Sequence, residues 1–536
     1  MAESKGQNYL HGAAILAAGV VIMKILGAIY KIPLGNILHD EGYAYFLVAY
    51  NIYNLLLTIA TAGLPVALSR MISEANTLGR PNQVRRIFRV ALGTFAVLGA
   101  IASVVMYLFP TELAVAMGEP RAAQSIWALS PAVFLVCLTS AYRGHAQGLN
   151  DMRPTTVGQV LEVLVKVVVG LALAWYLTSA GKSLPIAAAG AVFGTVAGGL
   201  AALIYMFVFK TRHFSEPGSA GDVPDGAGSI FARLMRIGIP ITLGASVMSL
   251  ITLIDMKLVL DRLQTAAGFS QDMASELYGV YGKAMTLYNL PAAFVTPLTI
   301  SVVPAIAACV ARRTYESSCD IAEASVRITS VISMPMAVGL SVLSYPIMNV
   351  LYRDSNESGP TLLMLMGIAS FFVCLALITN AVLQAHGNEK YPVYSMIAGG
   401  LAKIAVNWFL VGDPDINIYG APIGTICCYV VMCAMNLVFM CRCMERRPSL
   451  VRIFARPLIS TLIMGAAAWV SYEAVYGVAS GIISSEWLGM AFSMLVSIGL
   501  ACIVYLVLII ATRAVTYDDM KLIPKGEKIA RLLHIK

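Results

Sequence analysis

Apolar runs of about twenty residues recur along almost the whole chain, and the positive charges between them are sorted. Arginine and lysine gather on alternate connections: Arg80, Arg85, Arg86 and Arg89; Arg143 and Arg153; Lys210, Arg212, Arg233 and Arg236; Arg312 and Arg313; Arg442, Arg446, Arg447, Arg452 and Arg456. The tail adds Arg513, Lys521, Lys525 and Lys528. The intervening connections carry acids instead, among them Asp40, Glu41, Glu112, Glu119, Asp413, Asp415 and Glu486. Loops rich in Lys and Arg are retained on the cytoplasmic side of a bilayer, so the alternation predicts a multi-pass protein of the cell membrane with both termini in the cytoplasm.

With 58% apolar and 12% charged residues, the chain cannot keep its helices in water. Windows long enough to cross a bilayer predict about fourteen spans, near 12–36, 43–69, 86–109, 122–146, 155–178, 184–210, 234–260, 277–310, 324–350, 360–384, 391–411, 417–441, 453–476 and 486–513. The expected fold class is an all-α polytopic membrane protein. The net charge of +8 follows the loop bias, so nucleic acid is not an expected partner. The ten cysteines lie mostly within spans, without His at metal spacing, which argues against disulfides and metal. No cleavable signal is expected, because Lys24 interrupts the first apolar run.

The longest polar connection, near 211–233, is rich in Gly, Ser, Pro and Asp and reads as a flexible linker. It divides two similar halves. Tyr43, Phe46, Tyr50 and Tyr53-Asn54-Leu55 are echoed by Tyr278, Tyr281, Met285 and Tyr288-Asn289-Leu290. Gly190-Ala191 and Gly194-Thr195 recur as Gly420-Ala421 and Gly424-Thr425, and Asn150-Asp151 with Pro154 as Asn388-Glu389 with Pro392. An even number of spans separates the copies, so the halves share an orientation and are expected to flank a central cavity, as in transporters built from parallel repeats. The expected division is 1–212 for the first six-helix lobe, 213–233 for the linker, 234–446 for the second lobe, and 447–536 for two unrepeated spans and the tail. The paired glycines read as close helix packing rather than binding.

Charges inside spans need an explanation. Lys24, Lys166, Lys283 and Lys403 each cost roughly 2.5–3.5 kcal/mol within hydrocarbon, so they should face water or counter-charges. Lys31 shares a helix face with Lys24 and serves either the cavity or the membrane boundary. Arg70 either lines a vestibule or obeys the charge rule. Glu162 precedes Lys166 by four residues, the favourable order for a helical ion pair, and Asp255 is the other acid deep in a span. These two acids are the candidates for coupling to a cation, Na+ or H+. The cationic excess of Lys24, Lys31, Arg70, Lys166, Lys283 and Lys403 predicts an anionic, phosphate-bearing substrate. Ala180-Gly181-Lys182-Ser183 is no phosphate loop, because Tyr176 stands where its first Gly belongs, and no ATP site is expected. His386 is a lone boundary residue. The loops bearing acids, Asp40-Glu41 included, are too short for an acceptor site, so neither a glycosyltransferase nor any other enzyme is expected.

Lys31-Ile32-Pro33-Leu34, Gly63-Leu64-Pro65-Val66-Ala67-Leu68-Ser69-Arg70, Tyr142-Arg143-Gly144 with Gln147-Gly148, Met152 and Pro154, and Gly420-Ala421 with Gly424-Thr425 resemble the polysaccharide-transporter branch of the multidrug/oligosaccharidyl-lipid/polysaccharide (MOP) exporters. The pattern is similar to that of proteins of the stage V sporulation protein B and YtgP type, relatives of the MurJ lipid II flippases. The resemblance implies two lobes around a V-shaped cavity and two C-terminal helices beside a lipid-tail groove. It implies a flippase, working by alternating access as a monomer, for a glycan on undecaprenyl pyrophosphate, lipid II first and a capsule or teichoic-type unit second. A drug or cation antiporter on the same fold is disfavoured by the lysines. Two basic positions of the first lobe, Lys24 and Lys31, carry Lys where MurJ-like proteins have Arg, exchanging a bidentate fork for a point charge. No cofactor is implied; the drive is the membrane potential or a coupled ion.

Overall fold

In a computed structural model of the protein, residues 19, 22–23, 26–213, 222–353, 356–444 and 449–512 are described, without the side chains of 450 and 452. Lys24, Arg446, Arg447 and the basic tail from Arg513 lie outside them. The described residues form helices and no strand. In chain order these are α1 (26–37), α2 (His39–Thr61), α3 (Leu64–Thr77), α4 (Pro81–Leu108), α5 (Pro110–Ala116), α6 (Ala123–Gly148), α7 (Arg153–Ser179), α8 (Leu184–His213) and α9 (Ala227–Thr265). There follow α10 (Gln271–Tyr288), α11 (Leu290–Ala311), α12 (Tyr315–Val342), α13 (Ser344–Leu351), α14 (Gly359–Ala385), α15 (Lys390–Leu410), α16 (Gly420–Cys443), α17 (Leu450–Ile482) and α18 (Glu486–Ala511). Thirteen described helical segments are long and apolar enough to cross a bilayer, and the protein is a multi-pass membrane protein.

Three expected spans are each two helices. The second breaks between Thr61 and Leu64, the eighth at Asn289, and the ninth before Ser344. The first two resume on Leu-Pro, Leu64-Pro65 and Leu290-Pro291, where proline's missing N–H and fixed φ suit the first helical turn. Gly63 at the first break has a further reason: a Cβ there would lie 2.7 Å from the Thr242 backbone nitrogen. Only glycine lets α9 approach that closely.

The chain forms two compact units. The first contains the described residues up to Asp261 and Ser270–Gly279; the second contains Arg262–Phe269 and the described residues from Val280 on. The first unit therefore takes in most of α9, which the repeat assigns to the second half. Part of the linker expected to be flexible is also held there. Asp222 accepts hydrogen bonds from Arg80 Nε (3.0 Å) and the Gln83 backbone N–H (2.9 Å), and Asp225 accepts one from Gln83 Nε2 (2.9 Å). The carboxylates cap the start of α4, where free N–H groups and the helix dipole favour negative charge.

Within the first unit α7 runs along α8, and α6 packs on both α8 and α4. Within the second, α15 runs along α16, and α14 packs on both α16 and α12. The same pairings thus recur in each unit. The repeated glycines carry the closest of them. A Cβ on Gly194 would lie 2.6 Å from the Gly170 backbone, and one on Gly424 would strike the Asn407 side chain. In the second unit α17 packs on α12 and pairs with α18.

Candidate functional site

The aromatic stripe of α2 organises the first unit's charges. Tyr43, Phe46, Tyr50 and Tyr53 recur at helical spacing, and their ring centroids lie 5.4–5.8 Å apart along one face. Lys166, from α7, donates a hydrogen bond to the Tyr50 hydroxyl at 2.8 Å. Its ammonium also stands 4.2 Å from the Tyr50 ring centroid and 5.3 Å from that of Tyr30. Lys31, from α1, lies 5.8 Å from the same Tyr50 ring. Tyr30 is fixed in turn, its hydroxyl donating to the Ala191 carbonyl at 2.9 Å. Two lysines distant in sequence thus converge on one tyrosine, where ring faces partly replace water around the ammonium groups.

Glu162 does not take the i,i+4 pairing its spacing suggested. Its carboxylate pairs with Arg143 at 2.6 Å, both side chains being largely buried. The reason lies between helices: Arg143 on α6 brings a guanidinium into reach, and a planar fork binds carboxylate more strongly than a flexible ammonium. Lys166 is thereby released to Tyr50. Asp255 is buried on α9. Arg70 is exposed on α3 and lines a cavity of about 540 Å3 with Ser73, Glu74 and Thr77.

In the second unit Lys283 is 1% exposed on α10, its ammonium 5.2 Å from the Tyr352 ring centroid. Lys403 is buried on α15, one turn before Asn407. Tyr281 and Thr425 exchange a hydrogen bond at 3.2 Å. An apolar cavity of about 290 Å3 lies among α12, α14 and α17, lined by Met334, Val338, Ile368, Phe371 and Leu458. Sequence reading missed Tyr30, Tyr50 and Arg143 as partners of the charges. The aromatic stripe was visible, but its spacing is equally that of a helix core.

These observations define a class: a polytopic helical membrane protein with intramembrane cations held by aromatic residues. A family model described as "Polysaccharide biosynthesis protein" matches residues 9–310, more than half the chain, and the protein belongs to that family. Stage V sporulation protein B of Bacillus subtilis (strain 168) is 24% identical over 97% of this chain and 98% of its own length. Lipid II flippase MurJ of the same organism is 25% identical, over 74% of this chain and 76% of its own. A solved structure, "Lipid II flippase MurJ, inward closed conformation", matches 95% of this chain and all of that one with a TM-score of 0.68 at 14% identity. The fold is thus the one seen in MurJ. The resemblance to MOP-type polysaccharide transporters holds, and one of these relatives is named a lipid II flippase.

Proposed function

We propose that the protein flips a glycan carried on undecaprenyl pyrophosphate, lipid II first, from the cytoplasmic to the outer leaflet by alternating access. The observation that carries this reading is the convergence of Lys31 and Lys166 on Tyr50, while Arg143 neutralises the neighbouring acid, Glu162. The balance left there is positive and suits a pyrophosphate, whose passage through bare hydrocarbon would be prohibitive. Arg70, Lys24, Lys283 and Lys403 serve the same anion along its route. The membrane potential helps an anion leave an inside-negative cell, by about 2.3 kcal/mol per charge per 100 mV. Asp255 and Glu162 are the two acids proposed to couple transport to a cation, Na+ or H+.

The lipid tail stays in hydrocarbon beside α17 and α18. Leu458 and Leu462 expose apolar surface there, and the cavity beside Leu458 is lined by apolar side chains except for Ser341. Met464 on α17 is buried and belongs to the packing. The general family description keeps a capsule or teichoic-type unit as the second reading. The deciding experiment is rescue of cells depleted of their lipid II flippase, paired with flipping of lipid II by purified protein in liposomes. Rescue and flipping are expected. Failure with lipid II alongside flipping of another polyprenyl-linked glycan would transfer the assignment to that glycan.

A further inference from the structure

A cavity of about 290 Å3 opens between α2 and α9, both in the first unit, and its polar lining is wholly uncharged. Asn51, Asn54 and Thr58 come from one face of α2, and Ser249 and Thr252 from α9. Its ends are tied. The Thr58 and Ser249 hydroxyls lie 3.0 Å apart, and Asn51 Nδ2 donates to Met256 Sδ and the Tyr278 hydroxyl, each at 3.4 Å. Asn54 stands between these ties with no side-chain partner among the described residues. An amide in a membrane-spanning segment needs hydrogen bonds, so water or a ligand must supply them.

The lining selects among ligands. It has no Lys, Arg, Asp or Glu, which disfavours an isolated anion or cation. Amides and hydroxyls offer mixed donors and acceptors, the set that matches the hydroxyl and acetamido groups of a sugar. The volume, at the low end of the roughly 300–1,000 Å3 of small-ligand pockets, suits one sugar rather than a whole oligosaccharide. Position agrees with chemistry. Asn51 follows Tyr50, the residue on which Lys31 and Lys166 converge, and Asn54 lies one helical turn further, roughly 5 Å along the axis.

We propose that this cavity is a carbohydrate subsite, which holds an uncharged sugar next to the phosphate while the two lysines hold the pyrophosphate. The proposal rests on the flippase reading and adds to it a separate determinant for the sugar. The test compares binding of two lipids by the full-length protein in liposomes: polyprenyl pyrophosphate without sugar, and the same lipid carrying a disaccharide. Asn54→Leu and Thr252→Val are expected to weaken the disaccharide lipid roughly three- to tenfold each, the effect of a lost neutral hydrogen bond, and to leave the sugar-free lipid unchanged. Thr252→Ser, which keeps the hydroxyl, should bind both like the parent. Lys166→Ala should weaken both lipids together. Should Asn54→Leu not fold, the near-isosteric Thr252→Val carries the comparison alone. Equal loss for the two lipids, or no loss for either, overturns the sugar subsite while the flippase reading stands. Failure of the parent protein to bind either lipid overturns both.

Discussion

Lys166 and Tyr50 meet in two ways at once: the ammonium donates to the phenol oxygen at 2.8 Å and lies 4.2 Å from the centre of the same ring. Tyr50 therefore fixes the direction of a charge carried by another helix. Tyr50→Phe keeps the ring and removes a hydrogen bond from a charged donor, worth about 1.5 kcal/mol, so substrate affinity should fall roughly tenfold. Tyr50→Leu removes both contacts and should cost more. Binding of polyprenyl pyrophosphate to the purified variants measures the difference. Equal behaviour of Tyr50→Phe and the parent would leave the hydroxyl without a role.

The cationic reading extends to Lys403 and Lys24. Lys403→Ala and Lys24→Ala are expected to abolish transport while the proteins still insert, because removing a charge from hydrocarbon does not oppose insertion. Lipid II flipping and membrane yield are to be measured together. Normal flipping by both variants would defeat the model of a cationic pathway.

The Arg143–Glu162 pair is mostly buried, so removing one partner strands the other's charge. Glu162→Gln should destabilise the protein by about 2 kcal/mol, below the roughly 3–5 kcal/mol of a fully buried broken pair, because both side chains keep some exposure. Thermal unfolding in detergent reads this. The same variant separates structure from ion coupling: transport by the folded fraction that keeps the parent's dependence on pH and Na+ would leave coupling to Asp255. Loss of that dependence would assign ion coupling to Glu162.

The spans were legible because hydropathy is local: twenty apolar residues announce themselves wherever they pack. The repeat was legible for a similar reason, since Gly194 and Gly424 must be small wherever a neighbouring helix comes that near. The partner of Glu162 was not. Spacing along α7 offered Lys166, whereas Arg143 arrives from α6 by tertiary packing that no periodicity records. The break at Asn289 was missed because apolar character continues across it, although Pro291 marked the restart. Composition also misread residues 222–225, whose acids found the start of α4.

Those acids make a pH prediction with a defined sign. Asp222 is pushed upward by burial, but the Gln83 N–H and Arg80 hydrogen bonds win and hold its carboxyl below the ordinary value. Its docking is therefore full at neutral pH and lost as pH falls through that lowered pKa. Asp222→Asn should loosen the segment at pH 7, seen as faster hydrogen exchange across 222–226. A cysteine at the exposed Val223 should react with an impermeant reagent only in opened membranes. Labelling in intact cells would reverse the proposed topology.

Glu119 has the opposite sign. It is fully buried at the start of the turn before α6, accepting from Ser275 Oγ and, at 3.4 Å, from Gln271 Nε2. Burial raises its pKa above 4.5 despite these bonds. The folded form thus holds the proton more tightly, and stability declines as pH rises from about 4.5 through the raised pKa. Glu119→Gln should remove that decline and raise the unfolding midpoint at pH 7. A parent protein whose midpoint is flat across this window would contradict the assignment.

The last prediction concerns α17 and α18, which have no counterpart in the repeat. α17 packs on α12, and Met464 is buried, so part of the pair is structural. Leu458, by contrast, opens onto the apolar cavity with Phe371 and Met334, where an isoprenoid chain would lose little by leaving bulk lipid. Truncation after Arg446 should leave an inserted protein that binds a short-chain headgroup analogue but no longer transports the full-length lipid. A milder variant, Leu458→Asp, places a charge at the cavity without removing the helices and should reproduce the chain-length dependence. Transport of short- and long-chain lipids by both variants decides the matter. Equal loss for both lengths would mean that the helices serve the fold and not the tail.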